Sequence, residues 1–472
     1  MTAPSMALSE LAKAAPGLIH RSGDAEVTGL AHDSRAVNPG DLFFCVAGAN
    51  HDGHDFAADA LNRGATGLVV ERPLDLDCPQ LHTKSVRQTM GPISSVFYGH
   101  PSHSMAVIGV TGTNGKTTVC SLLSSVLGAA GLQTEVLGTL TGVLTTLESL
   151  DLQHQLAGLR SAGTDAVVLE VSSHALDQHR VEGIRFDVAV FTNLTPDHLD
   201  YHRTIEDYFA AKARLFTPQL SDRAVVNGDD DFGKRLATEP CIPTVVFEPR
   251  NVPVRLGPRN LALGWRGQEI RLPLIGRFNA ANAVAAAESA LLLGASSSEV
   301  VTGLKSAAPV PGRFETIEAD EPFTVVVDYA HTPDGLAQVL SAARELVASS
   351  GRLRAVFGCG GDRDSQKRPM MGRVAAELAD QVIVTSDNPR SEDPEAIIAD
   401  ILSGIPENRD GVSTQTDRRA AIAQCLANAT DGDVVVVAGK GHETTQTVGD
   451  RAIPFDDRVV ARELLASRET TR

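Results

Sequence analysis

No stretch of the 472-residue sequence comes near the ~20 consecutive apolar residues that a membrane-crossing helix requires. The amino terminus has no basic segment followed by an apolar core, the pattern of a secretory leader. Cysteine is scarce and scattered: Cys45, Cys78, Cys120, Cys241, Cys359 and Cys425 include no Cys-x-x-Cys pair. That spacing offers no zinc or redox motif and fits small buried thiols in a reducing compartment. Positive charge is in deficit, with 42 Lys and Arg against 59 Asp and Glu and a net charge of −17. A broad surface for nucleic acid or an anionic membrane is excluded. These absences predict a soluble cytoplasmic protein that holds any phosphate locally, through backbone and a few cations.

What the sequence does contain is organised around Gly109-Val-Thr-Gly-Thr-Asn-Gly-Lys-Thr-Thr118. The apolar run Ala106 to Val110 precedes it, and Val119 to Leu127 follows with helical apolar spacing. Strand, glycine turn and helix start make a phosphate cradle, because glycines admit backbone N–H groups to an anion and the helix N-terminus favours negative charge. The spacing is G-x-x-G-x-x-G-K-T, with Val110 where a strict Walker A has its first glycine. Gly112, Thr113, Asn114, Gly115, Lys116, Thr117 and Thr118 are therefore candidate ATP contacts. Lys116 would reach the β/γ-phosphates and the Thr117 hydroxyl would ligate Mg²⁺.

A chain of this length exceeds one ordinary core, and about three domains are expected. The first hundred residues read as a small α/β domain, with strands at Asp41 to Val46 and Gly67 to Glu71 and a helix between, at Asp55 to Arg63. The loop Asn50-His-Asp-Gly-His54 is read as a turn rather than a metal site, since no further ligands accompany its histidines. The turn residues of Tyr98 to His103 place a boundary near Pro101.

In the second segment, Ala166 to Val171 reads as a buried parallel strand ending in Glu170, a usual position for a Mg²⁺ ligand beside a phosphate loop. The loop Ser172 to Arg180 is polar and histidine-rich. Another strand, Phe186 to Phe191, ends in Thr192-Asn-Leu-Thr-Pro-Asp-His198. Two consecutive strands with such ends make a working crevice. Lys212 lies on an expected helix, where exposure is the default. Asn279 and Asn282 share one face at the start of an alanine-rich helix, as caps or as base contacts.

The stiff Pro309-Val-Pro-Gly-Arg313 gives the second boundary. Beyond it, strands at Phe323 to Asp328, Arg354 to Gly358, Gln381 to Thr385 and Asp433 to Ala438 alternate with helices that include Pro333 to Val347 and Arg418 to Ala427. All four strand ends are charged or glycine-rich, which points to one ligand site at the top of a doubly wound sheet. Arg363 and Arg390 would suit carboxylates. The expected fold is α/β in three domains. Residues 1–101 form a small α/β domain and 102–311 a P-loop ATPase-type domain with a mainly parallel sheet. Residues 312–472 form a doubly wound, Rossmann-like domain.

Taken in order, Gly-Thr-Asn-Gly-Lys-Thr-Thr, Glu-Val-Ser-Ser-His-Ala-Leu, Phe-Asn-Ala-Ala-Asn, Asp-Tyr-Ala-His-Thr-Pro-Asp, Asp-Asn-Pro-Arg and Gly-Lys-Gly-His-Glu resemble the Mur ligases over essentially the whole chain. The resemblance implies an ATP- and Mg²⁺-dependent amide ligase of peptidoglycan precursor synthesis, acting through an acyl phosphate. Its nearest members add meso-diaminopimelate to UDP-N-acetylmuramoyl-L-alanyl-D-glutamate (UDP-MurNAc-L-Ala-D-Glu). Lys116, Lys212 and His198 would be catalytic, with Lys212 as a carbamate joining Thr117 and Glu170 as metal ligands. Asn279, Asn282, Arg313 and His331 would approach the nucleotide. Ser34 matches a uridine contact, and Thr145, Thr146, Ser173, Gln178 and Arg180 match contacts to the muramoyl peptide. Arg363, Asp387, Asn388, Arg390, Gly439 and Glu443 match the pocket of the incoming amino acid, where Arg390 would pair with the second carboxylate of diaminopimelate. A monomer is expected.

Three features depart from the family pattern. Its Thr-Thr-Pro reads Thr145-Thr146-Leu147, and the preceding loop from Gly138 is short; the stretch from Asp229 to Ile275 is also abbreviated. The alternatives are the same chemistry with L-lysine or another acceptor, a folylpolyglutamate-synthase-like ligase, and a silent nucleotide-binding regulator. The first would lack Arg390, the second lacks the uridine domain, and the retained Lys116, Thr117, Glu170 and Lys212 oppose the third.

Overall fold

Runs of valine, isoleucine and leucine too apolar to face water on either side form buried strands in three α/β sheets. The computed structural model describes residues 5–48, 51–142, 144–257 and 260–469. Asn50 of the histidine loop and Val143 of the short loop lie outside the described residues.

The first sheet orders Leu18–Ser22, Gln80–Thr83, Gly67–Val70, Asp41–Phe44 and Gly29–Ala31, parallel except for its first member. The helix expected from Asp55 begins earlier, as a 3-10 turn Gly53–Phe56 whose N-terminal N–H is capped by Asp52, and continues as Ala57–Asn62. His54 is buried with Nδ1 2.6 Å from Asp52 and Nε2 accepting from the Glu71 N–H, so it is spent on holding the turn.

The central sheet is six-stranded and wholly parallel, ordered Thr244–Phe247, Ala224–Asn227, Val188–Phe191, Ala106–Thr111, Ala166–Glu170, Thr134–Leu137. The phosphate-loop strand Ala106–Thr111 and the glutamate strand Ala166–Glu170 are immediate neighbours. Both therefore deliver their C-terminal ends to one crevice. Helix Lys116–Ala129 buries Val119, Leu122, Leu123 and Val126 against helices Phe278–Leu292 and Ser297–Lys305. The abbreviated stretch after Asp229 holds a helix, Asp231–Thr238, and a small antiparallel sheet of Val254–Leu256, Leu261–Trp265 and Gln268–Leu272.

The last sheet orders Glu315–Ile317, Thr324–Asp328, Val434–Ala438, Leu353–Phe357, Gln381–Val384 and Val412–Thr414; only the first strand is antiparallel. The polar connection around residue 412 thus supplies an edge strand. Helices Lys367–Leu378, Pro394–Leu402 and Asp457–Glu469 and the hairpin Thr445–Val448/Arg451–Pro454 complete this unit. Among the described residues no helix is long and apolar enough to cross a membrane. The six cysteines are free; four are buried, Cys78 is half-buried and Cys241 is exposed, unlike the expected buried thiol.

Candidate active site

The phosphate loop takes its shape from two glycines. Gly112 has φ +150° and a Cβ there would stand 1.9 Å from Thr192 Oγ1; Gly115 has φ +88° and would strike Asn282 Oδ1 at 2.5 Å. Only glycine fits either position. The first N–H groups of helix Lys116–Ala129 have no side-chain cap, and so stay free for an anion. Lys116 Nζ donates to the carbonyls of Gly112 (2.9 Å) and Thr113 (2.8 Å). Burial lowers its pKa from the ordinary lysine value.

Beside the loop, Glu170 is buried. Its Oε2 accepts from Thr117 Oγ1 at 3.1 Å and its Oε1 from the Thr139 N–H at 3.0 Å. Arg313 reaches over from the far side of the cleft and donates to Thr117 Oγ1 at 3.1 Å, its guanidinium stacked on the Tyr329 ring. Lys212 is 1% exposed, not the surface lysine that a helix position suggests. Its amine donates to the Gly112 carbonyl at 2.9 Å and lies 4.5 Å from the centre of the Tyr208 ring. Burial, reinforced by the nearby Lys116 charge, pushes its pKa well below the ordinary value. His198, in a left-handed conformation (φ +55°), packs on His174 and Tyr208. Burial takes its pKa down to about 3 despite Asp197 alongside.

Apart from Gly112 and Lys212, which are buried behind the loop, these groups line one cleft of about 430 Å³ between the central and last sheets. Thr113 to Thr118, Thr145, Glu170, His198, Asn282, Arg313 and His331 all border it. Asn279 does not: its amide donates to the Ile275 carbonyl (2.8 Å) and its Oδ1 accepts from Asn282, so it braces the helix start. His331 is driven to about 4 by burial, and so is His442 across the Tyr329 ring. Asp334 joins the two sides. Its Oδ2 accepts from Asn114 of the phosphate loop (3.1 Å), Thr195 (3.1 Å) and Gln338 (2.7 Å).

The residues matched to the muramoyl peptide form a chain leading away from the cleft. Thr145 bonds Thr139; the Thr146 hydroxyl donates to the Glu170 carbonyl at 2.8 Å; Ser173 bonds His202 at 2.9 Å. Arg180 donates to the Thr146 carbonyl and Gln178 Oε1, and pairs with Glu148 at 3.0 Å. Ser34 is remote from them. It starts the turn Ser34–Ala36 beside a separate groove of about 410 Å³, bordered by Asp33, Ala36, Tyr98 and His154.

At the top of the last sheet, Asn388 Nδ2 donates to Glu443 (2.8 Å), and the buried Lys440 bridges Asn388 Oδ1 (3.1 Å) and Glu443 (2.9 Å). Burial raises the Glu443 pKa, but the Lys440 ammonium and Asn388 amide outweigh it and hold the carboxyl below its usual range. Burial keeps Asp387 above that range even with Arg418 nearby. Gly439 (φ +118°) lies against Asp387. Arg390 Nη1 donates to the Gly361 carbonyl (2.6 Å) and Arg363 lies exposed; neither forms an ion pair among the described residues. A Cβ on Gly360 would be 3.0 Å from Arg390 Nη1 and 3.9 Å from Arg363 Cγ, so the two arginines flank one glycine. Sequence reasoning missed Lys440 and Arg418. The latter is buried, forked on Asp457 (2.8 and 2.7 Å), and fixes the floor beneath Asp387. The only signal for Lys440 was the motif Gly-Lys-Gly-His-Glu itself.

A glycine loop opening a helix, a carboxylate on the neighbouring strand end and a second α/β unit closing over them define an ATP-dependent ligase built on a phosphate loop. Family models agree on which: the Mur ligase middle domain matches residues 110–290, the Mur ligase glutamate ligase domain 312–441, and the Mur ligase family catalytic domain 26–96. The chain belongs to the Mur ligase family. It is 42% identical to the UDP-N-acetylmuramoyl-L-alanyl-D-glutamate–2,6-diaminopimelate ligase of Geobacillus thermodenitrificans, over 98% of this chain and 100% of that one. The protein of that name from Synechococcus elongatus is 45% identical, over 96% of each chain. A solved structure with that name superposes with a TM-score of 0.66 at 34% identity, covering 94% of this chain and 95% of that one. MurF from Acinetobacter baumannii (TM-score 0.65, 22% identity, all of both chains) shares the fold. So does Mycobacterium tuberculosis folylpolyglutamate synthase (0.59, 21%, 82% of this chain and 95% of that one).

Proposed function

We propose that the chain joins meso-diaminopimelate to UDP-MurNAc-L-Ala-D-Glu with conversion of ATP to ADP and phosphate. The relatives carry that activity in their names, and one feature of this chain supports it: the paired guanidiniums of Arg363 and Arg390, free of carboxylate partners and flanking Gly360. An amino acid with a carboxylate at each end satisfies both; L-lysine leaves one guanidinium without an anion. Glu443, kept ionised beside Lys440, suits the ammonium.

The chemistry divides between the two walls of the cleft. A carboxylate oxygen of the acceptor attacks the γ-phosphorus, ADP leaves, and the resulting acyl phosphate is attacked at carbon by the incoming amine, which loses a proton as phosphate departs. The free N–H groups at the helix start, Gly115 to Thr118, and the Lys116 amine receive the phosphates, while the N–H groups of Thr113 and Asn114 are spent on Asn193; Arg313 adds a second cation from the opposite wall. His198, held neutral at working pH by its burial, presents its ring at the cleft wall as a hydrogen-bond partner rather than a strong base. Thr117 Oγ1 and Glu170 Oε2, 3.1 Å apart and both oxygen donors, fit Mg²⁺, which would neutralise charge on the phosphate oxygens. Lys212 has a neutral-favouring burial that suits reaction of its amine with CO₂, and the resulting carbamate would extend the same ligand set.

We assign residues 1–101 to the UDP end of the substrate, with Ser34 at the uridine, 102–311 to ATP, and 312–472 to the amino acid. A cytoplasmic monomer is the working state. ATP-dependent phosphate release with UDP-MurNAc-L-Ala-D-Glu, comparing meso-diaminopimelate with L-lysine, tests the reading. Turnover with diaminopimelate alone is expected. Turnover with lysine instead would discard the arginine pocket, and silence with both would direct attention to Leu147 and the short loop before Thr145.

A further inference from the structure

Arg363 and Arg390 sit on different loops, one after strand Leu353–Phe357 and the other after Gln381–Val384. Two guanidiniums can recognise one rigid pair of carboxylates only if the loops keep a fixed spacing. The loops themselves are short of regular structure, so the spacing must be imposed from outside.

Arg368 occupies the place from which that can be done. It is 2% exposed and stands in the first turn of helix Lys367–Leu378, where the helix dipole disfavours a cation and no acidic residue shares the turn. A residue that breaks a local rule inside the protein must be held by something else. Its Nη1 and Nη2 fork onto Glu392 at 2.9 and 2.8 Å, Nη1 also meets Asp400 at 2.9 Å, and Nη2 reaches the Gly360 carbonyl at 3.3 Å. Gly360 is the residue that both specificity arginines flank. Glu392, half-buried at the surface, in turn accepts from the Asp362 N–H, so one ion pair anchored on the buried Arg368 grips both loops.

Further ties sit on the same seam. Asp362 accepts from the Ser391 hydroxyl (2.6 Å) and N–H (3.1 Å), and the Gly361 N–H donates to the Asn388 carbonyl at 2.9 Å. Asp362 and Arg390 both have left-handed backbones, φ +52° and +51°, which non-glycine residues keep only where the surroundings over-determine them. For Arg390 the hairpin does so: its N–H donates to Thr447 (3.1 Å) and its carbonyl accepts from Gly449 (2.7 Å).

We propose that the Arg368–Glu392 pair is a specificity-determining positioning element, which fixes the separation of the Arg363 and Arg390 guanidiniums and so selects an amino acid with a second carboxylate. Neither partner touches the substrate. The inference rests on the reading that those two arginines receive the incoming diamino acid.

Glu392→Gln keeps the shape of the side chain and removes the charge that balances Arg368. Steady-state kinetics of the full chain should show the KM for meso-diaminopimelate raised about tenfold. The kcat and the KM values for ATP and UDP-MurNAc-L-Ala-D-Glu should stay within about twofold. Arg390→Ala and the double variant complete a cycle. If Arg390→Ala leaves the KM for diaminopimelate unchanged, the pocket reading itself fails. If Arg390→Ala raises it and Glu392→Gln does not, or the two effects simply multiply in the double variant, the positioning role fails alone. A rise in all three KM values together would also overturn it, as the mark of general loosening. Should Glu392→Gln fold poorly, Arg368→Lys keeps the charge but loses the fork onto Glu392 and the bond to the Gly360 carbonyl, and must raise the same single KM by about threefold; no change there is equally fatal.

Discussion

The amines of Lys116 and Lys212 donate to the same oxygen, the carbonyl of Gly112, each at 2.9 Å. One residue comes from the helix after the phosphate loop, the other from helix Ile205–Ala213. Two ammonium groups, Lys212 buried and Lys116 half-buried, repel each other across one neutral acceptor, and both pKa values are lowered, by loss of solvent first. Such a place is made for anions: phosphate at one amine and, in the proposed chemistry, a carbamate at the other.

Lys212 is therefore a stability cost near neutral pH. Its folded pKa lies well below the ordinary 10.5, so between those values the unfolded chain binds the extra proton and stability rises with pH. Lys212→Met should abolish phosphate release in bicarbonate-containing buffer, yet in CO₂-free buffer it should raise the unfolding temperature at pH 7, the gain shrinking as pH approaches 10. A lysine that was stabilising would give the opposite sign in a thermal melt.

His331 gives a sign in the acid range. Burial sets its folded pKa at about 4 against an ordinary 6.5. Between these values the unfolded chain holds more protons, so stability present above pH 6.5 is lost as pH falls toward 4. His198 and His442 act in the same direction. His331→Asn should reduce the drop in urea midpoint between pH 7 and pH 5. An unchanged drop would mean that His331 titrates normally.

Much of this was legible in the sequence. The strands at Ala106 and Ala166 are uninterrupted apolar runs between turn residues, and their ends carry Lys116 and Glu170. Covalent sequence alone places those ends in one crevice once the sheet is parallel. The sheet at Val254–Leu272 was not read from the sequence: two of its strands do alternate buried and exposed positions, but all three are only three to five residues long. Arg368 was hidden for a different reason. A cation in a first helical turn reads as a surface residue, and its partners Glu392 and Asp400 lie 24 and 32 positions away. Lys212 likewise declared itself through resemblance: it shares the buried face of its helix with Tyr208 and Ala211, but the phosphate-loop carbonyl that it meets lies 100 positions away.

Asp334 ties the phosphate loop to the last sheet through Asn114 and Thr195. Removing three hydrogen bonds to one carboxylate oxygen, two of them across the cleft, should loosen the closed arrangement. Asp334→Ala is expected to increase the radius of gyration of the nucleotide-free protein in small-angle scattering, with circular dichroism unchanged. An unaltered radius would show that the sheets are held together without it.

Gly439 packs against Asp387 at the top of the last sheet, away from the phosphate loop. Its φ of +118° excludes other residues at little strain, and a Cβ would stand 2.4 Å from Asp387 Oδ2. Asp387 cannot retreat freely: Arg418 lies 3.9 Å away, and its guanidinium is fixed by Asp457 and by the Ala438 carbonyl at 2.9 Å. The displacement must pass instead to Asn388, and through it to Glu443 and Lys440. The phosphate loop shares none of these bonds. Gly439→Ala should therefore raise the KM for diaminopimelate at least about tenfold while the KM for ATP stays within about twofold. An equal rise in both would mean that strain at the top of the last sheet reaches the nucleotide, and that amino-acid and ATP binding are coupled through the strand Val434–Ala438 rather than independent.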